Sequence, residues 1–122
     1  MATFDHEKME VYARALDFVG SANTLRDALV SGRSGLADQF DRAAISIALN
    51  IAEGAGEFAS REKARFYRIA RRSATECAAI LDILRKLELA SEPEVASARE
   101  EVRIIVAMLV SLAKSIEARG SS

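Results

Sequence analysis

Apolar residues recur at spacings of three and four along most of the chain, and the pattern breaks at three short polar or glycine-bearing joints. That period belongs to an α-helix, so the pattern predicts four of them. The first starts at Asp5 as N-cap and runs to about Leu29, with Met9, Tyr12, Leu16, Val19, Ala22, Leu25 and Leu29 on its inner stripe. Gly20 and Asn23 are weak points at which it could bend. Ser31–Gly35 reads as a loop, with Ser34 a candidate N-cap. The second helix covers 36–53 and is stopped by Gly54-Ala-Gly56. The third covers 61–89, its core stripe being Phe66, Ile69, Ser73, Cys77, Ile80, Leu84 and Leu87. Ser91-Glu-Pro-Glu94 is a capping box with proline in the first turn, so the fourth helix covers 92–118. Its stripe is Val95, Ala98, Val102, Ile105, Leu109, Leu112 and Ile116. Long helices joined by short loops become antiparallel neighbours. The expected fold is all-α, a single domain over 1–122 forming an up-down-up-down four-helix bundle.

The second helix carries the most informative stretch. Arg42, Ser46, Asn50 and Glu53 stand at i, i+4, i+8 and i+11, so they share one stripe. Ile45, Ile47, Leu49 and Ile51 flank it, and a stripe so flanked has to meet another helix, a partner or a ligand. Folding this helix against the third about a turn near residue 57 sets Arg42 opposite Ser73 and within a turn of Glu76. Asn50 then falls near Arg65 and Phe66, and Glu53 near Arg61 or Glu62. An Arg42–Glu76 pair is expected, with Asn50 satisfying a group close to the turn. Read functionally, these residues make a site. Read structurally, Arg42, Ser46, Asn50, Glu53 and Glu76 form a network that fixes register, and this is the stronger reading.

The fourth helix is apolar almost all the way round from Val102 to Ala113. A helix on the outside of a lone bundle needs only about a third of its circumference apolar. Ile104, Met108 and Val110 are therefore surplus, and an interface between copies of the chain would cover them.

Composition narrows the compartment and the chemistry. Half of the 122 residues are hydrophobic but only 6% are aromatic, and the helix formers Ala, Leu, Ile, Glu and Arg dominate. A lone Cys77 excludes an internal disulfide and suits a reducing cytosol. No apolar run approaches a membrane span, and the N-terminus lacks a signal-peptide pattern, so a cytoplasmic protein with no membrane partner is expected. No enzyme is expected either. His6 is the only histidine, too few for a di-metal bundle site or for a triad without recruiting it. Cys77 falls on a core stripe, and Gly54-Ala-Gly56 lacks the Lys-Ser/Thr of a phosphate loop and is bracketed by Glu53 and Glu57. No cofactor and no metal is called for.

Net charge is −1, against a globally basic nucleic-acid binder. Locally the balance reverses. Arg61, Arg65, Arg68 and Arg72 draw a stripe along the third helix, beside Lys63 and Arg71, and residues 57–76 hold six basic against three acidic side chains. Repeated around an oligomer, such a stripe could contact RNA phosphates, with Tyr67 available to stack on a base. The plainer reading is a solvated face with Glu57 and Glu62 as partners. Two function classes follow, a protein-interaction scaffold and a nucleic-acid-binding accessory.

The run from Gln39 to Gly54, Gln-Phe-Asp-Arg-Ala-Ala-Ile-Ser-Ile-Ala-Leu-Asn-Ile-Ala-Glu-Gly, resembles the hallmark of bacterial four-helix-bundle proteins called 23S rRNA intervening-sequence proteins. The likeness continues through Arg65-Phe-Tyr-Arg-Ile-Ala70, Ser73 and Glu76-Cys-Ala-Ala-Ile-Leu-Asp82, and Phe4–Tyr12 is similar to one branch of the family. One departure matters. Asp41 stands where the family pattern has the first arginine of a pair, which weakens any RNA-contact role carried over to that pair. The resemblance implies cytoplasmic bundles assembled into homopentameric rings. A similar fold serves as the accessory protein of diversity-generating retroelements, where a basic pentamer binds nucleic acid and a reverse transcriptase. The family name records gene location and implies no activity.

Overall fold

The computed structural model describes residues 4–29 and 33–120, which form four α-helices and no strand. A short 3-10 turn, Asp5–Lys8, precedes α1, Glu10–Ala28. Met9 between them is extended, so the helix expected from Asp5 is two pieces, and neither start has a side-chain cap. α2 spans Ser34–Ala55, with Arg33 and not Ser34 in the N-cap position. Ser31 and Gly32 of the expected loop lie outside the described residues. α2 continues through Gly54 and ends at Gly56.

α3, Ser60–Lys86, closes earlier than the expected Leu89. Glu88 adopts a left-handed φ of 53°, and the Leu89 N–H reaches back to the Leu84 carbonyl at 2.9 Å. This six-to-one closure turns Leu89 onto the core. α4, Glu92–Gly120, begins at a reciprocal cap. The Glu94 N–H donates to Ser91 Oγ at 3.4 Å, and the Ser91 hydroxyl donates to the Glu94 carboxylate at 2.8 Å.

Sequence neighbours pack side by side and the two diagonal pairs make no close backbone approach, which arranges the helices as a square. Contact is most extensive between α3 and α4 and least between α1 and α4, so the seam between first and last helix is the open side. Phe18 and Phe40 meet edge to face, 6.1 Å between centroids, in a core filled by Ile47, Ile51, Tyr67, Leu81, Leu84, Ile105 and Leu109. Each such fully buried side chain contributes about 1.5–3 kcal/mol. Ala15, Ala44, Ala64, Ala70 and Ala74 have no exposed surface at all and let the backbones approach closely.

Those alanines correct the expected stripes. On α1 the buried line is Val11, Ala15, Phe18, Ala22 and Leu25, while Leu16 is 48% exposed. On α3 it is Ala64, Tyr67, Ala70, Ala74, Cys77, Ile80, Leu81 and Leu84. Phe66, Ile69 and Ser73 are only half-buried and Leu87 is exposed.

Candidate interaction surface

The seam between α2 and α3 is organised by small polar groups. Ser46 Oγ and Ser73 Oγ lie 2.8 Å apart, and the Asn50 amide donates to Ser46 Oγ at 3.0 Å and to the Ser46 carbonyl at 2.9 Å. Ser46 Oγ accepts from Asn50 and shares a second bond with the Ser73 hydroxyl, in which either oxygen can donate, so the three side chains form one connected chain. Ser46, not Arg42, therefore faces Ser73. The register differs from the expected one by about a turn, because α2 runs on to Ala55 and moves the connection along the chain.

Two features lock the end of this seam. A Cβ at Gly54 would come 2.6 Å from the Tyr67 ring and 3.2 Å from the Lys63 carbonyl, so glycine is what allows α3 this close. Lys63 Nζ donates to the carbonyls of Gly54 and Ala55 at 2.9 and 3.0 Å, placing a cation on the open carbonyls at the end of α2.

The structure brings only part of the expected network together. Ser46 and Asn50 join Ser73, but Arg42, Glu53 and Glu76 are exposed, and no Arg42–Glu76 ion pair forms among the described residues. Beside the network, Leu49 is 60% and Ile45 39% exposed on α2, and further along the same flank Ile83 of α3 and its C-cap Leu87 are exposed.

The basic stripe is partly neutralised. Arg65 makes two bonds to the Glu62 carboxylate, at 3.0 and 3.1 Å, and lies over the Phe66 ring. That contact holds the Glu62 carboxyl below the usual range. Arg68 pairs with Glu117 of α4. Arg61 and Arg72 are exposed without an ion pair among the described residues. Lys63 is engaged as the α2 cap. Tyr67, a candidate for base stacking, is 2% exposed, and its hydroxyl points to Met9 Sδ at 3.9 Å. Burial of that ring removes it from any nucleic-acid surface.

On α4, Ile104, Met108 and Val110 are all half-buried, and Met108 packs against the core. Ile104 and Met108 fall on the flank turned to α1. Val110 shares the opposite flank with Arg99 and Glu117, which bond to α3. No large apolar residue of α4 ranks among the exposed ones; these sit mainly on α2, α3 and the fully exposed Phe58 between them. The three α4 residues are thus better covered within one chain than their pattern implied, and the larger exposed apolar side chains lie elsewhere. The signal was available in Ile45 and Leu49, which flank the polar stripe.

The open seam holds three depressions, one of about 360 Å³ between Thr24, Leu25, Pro93 and Ser97 among them. An apolar groove of about 590 Å³ lies between Met9, Val11, Ala107, Met108 and Leu112. Higher up, a cleft of about 290 Å³ is lined by Arg14, Asp17, Ser21 and Glu101. Ser21 Oγ is 3.0 and 3.2 Å from the two Glu101 carboxylate oxygens. Burial and then Asp17 push the Glu101 carboxyl upward, partly offset by the Ser21 bond.

The residues weighed for chemistry lie apart. Cys77 is fully buried, and burial pushes its thiol up to about 12. His6 sits in the 3-10 turn, stacked with Phe4 and edge-on to Tyr12. Among the described residues no three His, Cys, Asp or Glu side chains are grouped to hold a metal, and no helix is long and apolar enough to cross a membrane.

An all-α square of four antiparallel helices, with a hydroxyl-linked seam at α2 and α3, is the class of protein this is. The chain belongs to the family described as 23S rRNA-intervening sequence protein, whose pattern it matches over residues 7–111. A solved structure of a protein with unknown function from the S23 ribosomal protein family of Bacteroides thetaiotaomicron VPI-5482 shares the fold. It is 24% identical at a TM-score of 0.80, over 85% of this chain and 98% of that one. No curated protein matches.

Proposed function

We propose that this protein is a non-catalytic bundle that works in the cytoplasm by assembling with copies of itself into a ring, pentameric as the family resemblance implies, and scaffolding other proteins. The observation that carries this is the outer flank of α2 and α3. Leu49, Ile45, Ile83 and Leu87 stand in solvent there beside a half-buried hydrogen-bond chain that needs no ligand to satisfy it. Leu49 with Ile45, and Ile83 with Leu87, put two separate exposed apolar pairs on one flank, and apolar surface of that kind marks a protein contact. Sedimentation velocity at micromolar concentration tests the reading. A species of five chains is expected, and a monomer at every concentration sinks it.

Arg61 and Arg72 support a second reading, an RNA-binding accessory using Arg61, Arg65, Arg68 and Arg72. Its signature is binding of RNA or single-stranded DNA that falls steeply with salt and disappears in Arg65→Glu/Arg68→Glu. With Arg65 and Arg68 already paired and Tyr67 buried, the scaffold reading is the stronger.

A further inference from the structure

We infer that the α2/α3 flank of one copy docks into the α1/α4 seam of the next, with Leu49 entering the apolar groove beside Met108 and the Arg42 and Arg72 guanidinium groups facing the Asp17 and Glu101 carboxylates. The inference rests on the self-association proposed above and adds which surfaces meet and in what register.

Charge is the first support. Arg42 and Arg72 are exposed and make no ion pair among the described residues. The carboxylates of Asp17 and Glu101 likewise lack a cation within ion-pair distance. Arg14 lines their cleft but pairs with Glu10 at 3.4 Å. Glu101 is half-buried, and among the described residues the Ser21 hydroxyl is the one side-chain donor on its carboxylate. A half-buried carboxylate held by one neutral hydroxyl is a position where an incoming cation gains more than it would at an open surface.

Register is the second support. The Arg26–Asp38 bond fixes α1 against α2 and sets Arg42 level with Ser21 and Ala22. The Ser21–Glu101 bond fixes α1 against α4, so Arg42 is level with Glu101 too. The same rulers, with Ser46–Ser73 tying in α3, put Leu49 level with Ala107 and Met108 and Arg72 near the level of Asp17, although the Arg68–Glu117 and Arg99–Asp82 bonds set α3 about one to two turns further along α4. Cation and carboxylate, and exposed leucine and apolar groove, thus fall within about two turns of one another along the same axis. Two copies set side by side in the same orientation bring both pairs within reach with a small slide. Ala107 and Ser111 line the groove with small side chains, which leaves room for a leucine from another helix.

The flank and the seam lie on opposite sides of the square, so the contact joins unlike surfaces. Such a contact repeats from copy to copy and closes as a ring or continues as a filament, which a two-fold contact does not.

Two variants test it. Arg42→Glu/Arg72→Glu makes both surfaces acidic, and Asp17→Arg/Glu101→Arg makes both basic. Every substituted side chain is at least part-exposed, so circular dichroism should show the helical fold retained. Each variant alone should sediment as a monomer, with at least a tenfold loss of affinity between copies. An equimolar mixture should recover alternating assemblies of two or more chains, since each flank again meets a seam of opposite sign; a closed ring of five cannot alternate throughout, so these assemblies are open or even-numbered. Leu49→Ser should weaken association with no change in charge. If the wild type is a monomer, the self-association reading fails and this inference with it. If the wild type assembles and both reversals assemble equally well, or the mixture fails to recover, the self-association reading stands and this pair of surfaces is wrong.

Discussion

The two seams on opposite sides of the square are built differently. Between α2 and α3 a missing side chain at Gly54, a lysine cap and a hydroxyl chain draw the helices together and leave little freedom. Between α1 and α4 contact is sparse, a groove and a cleft remain, and the principal polar link is a serine on a half-buried carboxylate. The first seam specifies the fold and the second leaves surface unused. A bundle this small keeps one side open when the core is already filled from the other three.

The largest expected effect lies at Gly54. Gly54→Ala drives a methyl into the Tyr67 ring, which is buried and has nowhere to turn, and should cost about 1–3 kcal/mol in urea denaturation. A wild-type midpoint would mean that the tight seam is looser than drawn. Next come the hydroxyls. Ser46→Ala and Ser73→Ala should each cost about 1 kcal/mol, and the double variant clearly less than their sum. Strict additivity in that cycle would show that the two groups do not share a bond.

The contrast sharpens at Gly20, on the outward side of α1, where an added Cβ meets nothing within 4 Å. Gly20→Ala should stabilise by about 0.5–1 kcal/mol, visible as a higher melting temperature. The same substitution thus has opposite signs on the two sides of the molecule. The smallest effect concerns pH. The folded chain holds the Glu101 proton more tightly than the unfolded chain, so this residue's contribution to stability is greatest at low pH. It declines as pH rises from the ordinary carboxylate range through the raised value. In dilute, unassembled protein Glu101→Gln should flatten that decline and melt slightly higher near neutral pH. An unchanged pH slope would show that Glu101 is better solvated than its surroundings suggest.

Periodicity made the helices legible, and the cap at Ser91 and the glycine stop after α2 were legible as motifs. The phase of α1 and α3 was not. Hydrophobic size favours Leu16 and Phe66 for the interior, yet closely spaced helices select Ala15, Ala64, Ala70 and Ala74, whose value lies in the side chain they lack. The α2/α3 register was missed for a related reason. Gly54 reads as a stop, whereas its role is to let Tyr67 approach, and the helix runs through it. Ser46 and Asn50 could be picked out as a shared stripe, but their partner Ser73 required the corrected register. The Lys63 cap carried no readable signal, because a lysine amid arginines looks like one more surface charge.

The alanine column on α3 also shapes how such a chain can change over generations. Ala64, Ala70 and Ala74 have no exposed surface, and any larger residue there has to push a neighbouring helix aside. Substitution is thereby tolerated mainly on the opposite side of α3, where arginines, acids and exposed aliphatics touch little of the interior. The outer surface can be rewritten while the architecture stays as it is.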